Sequence, residues 1–140
     1  MKTKIFQFYF YALSVVTLFW WSLSHWLYPE VYHRLLGFER YDPAMVKIIG
    51  TLSFFAVLGM FFVARDPVRN RDFFISLMVM SGLMAGTYFF LIQTDQFPIA
   101  EYLNIIVLLG NGIISSLLYP WEGTLKPVAK LQTTESILHP

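Results

Sequence analysis

Residues 5–28 read IFQFYFYALSVVTLFWWSLSHWLY, and no Asp, Glu, Lys or Arg interrupts the run. An α-helix rises about 1.5 Å per residue, so this segment alone is long enough to cross a hydrocarbon core of about 30 Å. It is too long for the apolar part of a cleaved signal peptide, which takes about 7–15 residues. Ser24, His25, Trp26, Leu27 and Tyr28 also make a bulky end with no small-residue cleavage pattern. The segment reads as an uncleaved first transmembrane helix.

Working outward, three more charge-free gaps follow: Lys47 to Arg65, Asp72 to Asp95, and Glu101 to Glu122. The first of these is short, but Met45 and Val46 extend it while the Lys47 ammonium snorkels to the interface. Spans are therefore expected near 5–28, 43–64, 73–94 and 98–119. Punctuation agrees with these limits. Asp42 and Pro43 suit an N-cap and a first helical position, where the missing proline N–H costs nothing. Pro98 opens the fourth span, Glu101 falls in its first turn where the helix dipole favours an acid, and Pro120 closes it.

Composition carries the same message. The chain is 56% hydrophobic and 14% charged, against about 25% charged in soluble domains. Its mean hydropathy is +0.56. One small core cannot hide that much apolar surface, so lipid must cover it. The expected fold is an all-α integral membrane protein: a four-helix bundle over residues 1–121, followed by a polar tail at 122–140. Between spans one and two, PEVYHRLLG at 29–37 predicts a short interfacial helix closed by Gly37. Val31, Tyr32, Leu35 and Leu36 would share its membrane-facing side, with Glu30, His33 and Arg34 turned away. Trp20, Trp21, Trp26 and Trp121 all fall near span ends, as interfacial aromatic belts require.

Positive charge sets the expected orientation. Lys2, Lys4, Arg65, Arg69, Arg71, Lys126 and Lys130 lie on one side, and Arg34, Arg40 and Lys47 on the other. The excess belongs to the cytoplasmic side, which places both termini inside a bacterial inner membrane.

Several chemistries drop out at once. With no cysteine there are no disulfides, thiolate nucleophiles or iron–sulfur ligands. A net charge of +1 gives no electrostatic footprint for nucleic acid. No Ser/His/Asp set and no glycine-rich phosphate loop can be assembled, so the reading leans away from an enzyme.

Polar side chains inside a span are costly and mark the first candidate site. On span four, Glu101, Asn104, Asn111 and Ser115 fall along one helical stripe. That stripe could line a ligand cavity; equally, its amides and hydroxyl could only glue neighbouring helices together. If they face inward, Ser14, Thr17, Ser53 and Ser81 are the partners expected from the other spans. Gly82 and Gly86 on span three form a GxxxG pair, which lets two helices approach closely, within the bundle or between two copies. No metal is expected, since solvent-exposed titration is the simpler account of these groups; were one bound, His25 and His33, with Glu30, would be the candidate ligands. A haem held by His25 would need Met78, Met80 or Met84 as its second ligand. No cofactor is expected; haem or quinone is the alternative.

The order of short features resembles the small four-helix bacterial membrane proteins grouped as DoxX-like and BphX-like. Leu27-Tyr28-Pro29 ends the first span and leads to Leu35-Leu36-Gly37-Phe38, and Ile49-Gly50 opens the second. Arg65-Asp66-Pro67 with Arg69 forms the next loop, and two closing spans follow. The resemblance implies an accessory membrane protein, in some members associated with redox or aromatic-degradation systems, and it carries no catalytic residues to transfer. The expected function is thus a non-catalytic accessory or structural subunit, partnered by lipids and by other membrane subunits or a second copy. The alternatives are a redox-associated component binding quinone or haem, and a binder of lipid or another hydrophobic ligand.

Orientation is directly testable because the chain has no native cysteine. Arg69→Cys should resist an impermeant maleimide in intact cells while Asp95→Cys labels. Labelling of both from outside would overturn the four-span topology.

Overall fold

The computed structural model describes residues 2–121. The tail at 122–140, including Lys126 and Lys130 from the charge count, lies outside the described residues. The described residues form helices and loops with no strand. Four helices are long and apolar enough to cross a membrane: Lys2–Leu27, Pro43–Arg65, Arg71–Gln93 and Ile99–Leu118. They run up and down in sequence order, and spans one and four close the ring. One end of the bundle carries Lys2, the 66–70 loop and Trp121, and is called here the terminal end. The other carries the 28–42 and 94–98 loops and is called the cap end.

Helix ends follow the local chemistry of the sequence. Asp42 caps span two, its Oδ1 accepting from the N–H of Ala44 at 2.8 Å and of Met45 at 3.4 Å. The far end of that span is closed by Asn70, whose amide nitrogen donates to the carbonyls of Phe62 and Asp66 at 3.0 and 2.9 Å. The Asp42 contacts satisfy N–H groups that a helix start leaves without partners, and the Asn70 amide adds a second bond to carbonyls that already accept from the Asp66 and Asn70 N–H groups.

The short helix Pro29–Leu36 ends on Gly37, which adopts a left-handed φ of 82°. Phe38 N–H donates to His33 O, and Gly37 N–H to Arg34 O, which completes a Schellman closure. Its faces differ from the expected assignment. Tyr32, His33 and Leu36 are buried, while Val31 and Leu35 are exposed. The reason is that the bundle end, not the bilayer surface, supplies the main contact, so the helix turns its rings inward and leaves two aliphatic side chains outside.

The tightest apolar cluster sits at the terminal end. Phe6, Phe10, Phe74 and Tyr119 are completely buried there. Phe74 and Tyr119 stack at 4.2 Å, Phe6 meets Tyr119 edge-on at 5.3 Å, and the Tyr119 hydroxyl donates to Pro67 O at 2.5 Å. A second buried cluster, Ala85, Ile92 and Ile105, joins spans three and four toward the cap end, while many apolar side chains point outward: Phe8 is 78% and Leu117 70% exposed. Water would not tolerate that surface, and acyl chains cover it at no cost.

Close helix approach occurs at glycines other than the expected pair. A methyl group at Gly82 or Gly86 would meet nothing within 4 Å, so neither packs against another helix of this chain. Span three buries Phe74, Leu77, Ala85 and Ile92, and the two glycines lie one position beyond that face. Spans one and two instead meet at Gly50, where an added Cβ would stand 3.0 Å from Ser22 O and 3.2 Å from Trp26 N. Those neighbours are helix backbone and cannot swing away. Gly50→Leu should therefore lower stability by about 1–3 kcal/mol, the scale of overpacking, read as an earlier melting transition in detergent. Gly86→Leu should melt like the wild type, and the reverse order would overturn this packing.

Candidate ligand cavity and its polar flanks

Span one is not a uniform α-helix. Residues Leu18–Leu23 take the wider π form, a local irregularity often found where a membrane or soluble protein places functional side chains. Just after it, the Ser24 hydroxyl donates back to the Trp20 carbonyl. The wider turn brings neighbouring residues closer in azimuth, so Trp20 and Trp21 both reach into the bundle. Trp21, Ser22 and His25 are buried. Trp21 is thereby packed inside the bundle, while Trp20 stays 40% exposed and turns only its Nε1 edge inward.

Trp20 Nε1 donates to Asn104 Oδ1 at 3.1 Å. The Asn104 amide nitrogen in turn donates to the Tyr32 hydroxyl at 3.0 Å and to Glu101 Oε2. Asn104 is completely buried and Glu101 is 2% exposed. This network ties spans one and four to the short cap helix. Burial raises the Tyr32 phenol well above its ordinary titration range, and the neighbouring Glu101 adds to the effect.

His25 and His33 meet beside it, with ring centroids 5.7 Å apart. His25 packs on Tyr32 at 4.3 Å, and His33 stacks on Tyr41 at 4.4 Å. His33 Nδ1 must donate to Pro29 O at 2.7 Å, since a carbonyl only accepts. Glu30 does not join them: among the described residues no group of three His, Cys, Asp or Glu side chains is placed to hold a metal. His25 is not among the residues lining the cavity that Met78, Met80 and Met84 border.

Those methionines line a cavity of about 310 Å³ deeper in the bundle. All four spans contribute walls: Trp21 from span one, Ser53 from span two, Met84 from span three and Asn111 from span four. The volume sits at the lower end of the usual ligand-pocket range of about 300–1,000 Å³. Ile49, Leu52 and Met80 line it and are also exposed on the outer surface, so it reaches the lipid side between spans two and three.

The span-four stripe is consequently divided. Glu101 and Asn104 are consumed by the cap network, and Asn111 and Ser115 face the cavity. Asn111 is held in place, with Oδ1 accepting from Tyr9 at 2.6 Å and Nδ2 donating to Val107 O at 2.8 Å. Ser115 lies beside the Tyr9 phenol without closing a hydrogen bond to it. The amides find aromatic partners and not the serines and threonine expected, because Trp and Tyr carry a polar tip far enough from the backbone to cross between helices. Trp20, Trp21, Tyr9 and Tyr32 were missed as site residues. Tyr9, Trp20 and Trp21 come from span one across its π segment and Tyr32 from the cap helix, so no simple sequence period groups them.

Fold and site together define a multi-pass membrane bundle with an apolar cavity among its four spans and a buried polar network at its cap end. Compared with protein-family models, curated proteins and solved structures, the chain matches none.

The two asparagines should respond differently to leucine. Asn104→Leu leaves the Trp20 N–H and the Glu101 carboxyl without their partner, at about 1–3 kcal/mol for a buried unsatisfied group. Asn111→Leu forfeits an interhelical bond worth about 0.6 kcal/mol on average in membranes. Thermal melts in detergent should rank Asn104→Leu clearly below Asn111→Leu. Equal melting would mean the cap network is not what holds spans one and four.

Proposed function

We propose that this protein binds an apolar molecule drawn from the bilayer inside its four-helix bundle. The observation that carries the reading is the cavity of about 310 Å³ walled by all four spans. Four methionines, Met60, Met78, Met80 and Met84, line it, and their flexible thioethers adapt to varied apolar shapes. A quinone held there, as in the redox-associated alternative, falls within this class. The setting proposed is a bacterial inner membrane with both termini cytoplasmic. Lys2, Lys4, Arg65, Arg69 and Arg71 at the terminal end support that orientation, against Arg34, Arg40 and Lys47 at the cap end.

A second reading is the accessory subunit implied by the DoxX-like resemblance. It is supported by Gly82, which borders a shallow outward groove with Gly112 and Ser116 where another helix could approach closely. Cross-linking of the intact chain in native membranes distinguishes it.

The cavity reading is tested by what the full chain retains through purification in mild detergent. Lipid extraction and mass spectrometry should find an apolar species at near-stoichiometric amount. Ser53→Phe, which fills the cavity from span two, should lose it, and Gly86→Leu on the outer face should keep it. Retention by a folded Ser53→Phe variant would overturn the proposal.

A further inference from the structure

Two imidazoles at the cap end belong neither to the cavity nor to the Glu101–Asn104 network. Solvent exposure, the simpler account from sequence, does not hold for them: His25 is 4% and His33 6% exposed. Their hydrogen bonds fix the tautomer of each ring. The Ser24 hydroxyl has one proton and donates it to the Trp20 carbonyl. Toward His25 Nδ1, 3.1 Å away, that oxygen can only accept, so Nδ1 carries the proton. In His33 the Nδ1 proton goes to Pro29 O. Each ring in its neutral form is left with a lone pair on Nε2. Among the described residues, neither Nε2 has a hydrogen-bond partner.

Metal-binding histidines share this arrangement. One ring nitrogen donates to a carbonyl or another acceptor, which fixes the ring and leaves the other nitrogen basic. The spacing fits as well. Each Nε2 stands about 1.1 Å from its ring centroid and a metal–imidazole bond is about 2.0 Å, so one shared ion puts the centroids about 5–6 Å apart. Here they are 5.7 Å apart.

The surroundings select the ion. Zinc takes four ligands, and among the described residues no third His, Cys, Asp or Glu joins the pair. Rings occupy that space instead: Tyr32 packs on His25 at 4.3 Å, and Tyr41 and Phe38 on His33 at 4.4 and 4.9 Å. Such a shell restricts the water that would complete a larger coordination sphere. Copper(I), with a filled d shell, is satisfied by two nitrogen donors, and imidazole suits copper. Its single charge is also the least costly to hold beside a membrane, and the tyrosine ring faces attract it.

We propose that His25 and His33 form a two-imidazole site for copper(I), held between their Nε2 atoms at the cap end of the bundle. The ion would tie the end of span one to the cap helix. This site is separate from the methionine-lined cavity and stands whether or not that cavity holds a ligand.

The test uses the full chain without a histidine tag, in detergent and chloride-free buffer, titrated with silver(I). Silver(I) shares the charge and filled d shell of copper(I) and is not oxidised by air. A His139→Ala background removes the third histidine. In protein labelled with ¹⁵N at histidine, both Nε2 resonances should move upfield together and saturate at one silver per chain, counted by elemental mass spectrometry. His25→Gln and His33→Gln should each weaken binding by more than about tenfold, since losing a group that only orients a ligand already costs that much. Where either variant fails to fold, the two Nε2 resonances of the background protein decide alone. Equimolar zinc(II) should leave the silver in place. A shift at only one Nε2, or at neither, overturns the site. Undiminished binding in the folded variants puts the ion elsewhere, such as on the cavity methionines, and overturns it too. Displacement of silver by zinc overturns the choice of copper(I).

Discussion

In hydrocarbon, a polar group with no partner has nowhere to turn. Water is absent, and every backbone N–H and C=O must be satisfied inside the protein. Much of this architecture follows from that constraint. The spans are helical because helices satisfy their own backbone. Asp42 accepts from N–H groups at the start of span two, Asn70 adds bonds to carbonyls at its end, and the Gly37 turn closes the short cap helix. Among the described residues the one deeply buried carboxyl, Glu101, sits at the cap end and is held by Asn104.

The same rule explains how the bundle acquires a specific shape without a hydrophobic force between its helices. Lipid tails are as apolar as leucine, so burying a leucine between helices gains little over leaving it outside. What distinguishes inside from outside here is shape and polarity. Gly50 admits the backbone of span one at close range, and the stacked rings of Phe74 and Tyr119 fill the terminal end. At the cap end the Trp20–Asn104–Tyr32 bonds set how spans one and four meet. Between those two fixed ends the helices do not fill the interior, and the methionine-lined cavity lies there.

This division of labour gives the polar residues of span four two different roles. Seven residues separate Asn104 from Asn111, which places them on nearly the same helix face. Asn104 meets two aromatic donors or acceptors and a carboxyl, and becomes structural. Asn111 meets one phenol and otherwise borders open volume. The π segment of span one drives the difference, since it turns two consecutive tryptophans toward the bundle, one to the network and one to the cavity wall.

The amino-acid sequence by itself determined the number of spans, their ends to within a few residues, the Asp42 cap and the Gly37 closure. Each of these depends on local physics: the cost of charge in lipid, the geometry of proline and glycine, and backbone groups that need a nearby partner. It also marked Asn104 and Asn111 as inward-facing, because an amide is too costly to leave in hydrocarbon. Only the tertiary structure decided which glycine makes the close contact, which face of the cap helix is buried, and where the span-four stripe divides. In a soluble protein the apolar stripe of a helix points to its core. In a membrane every face is apolar, so hydropathy carries no signal for the interior, and Gly50 reads no differently from Gly86 until the helices are placed side by side.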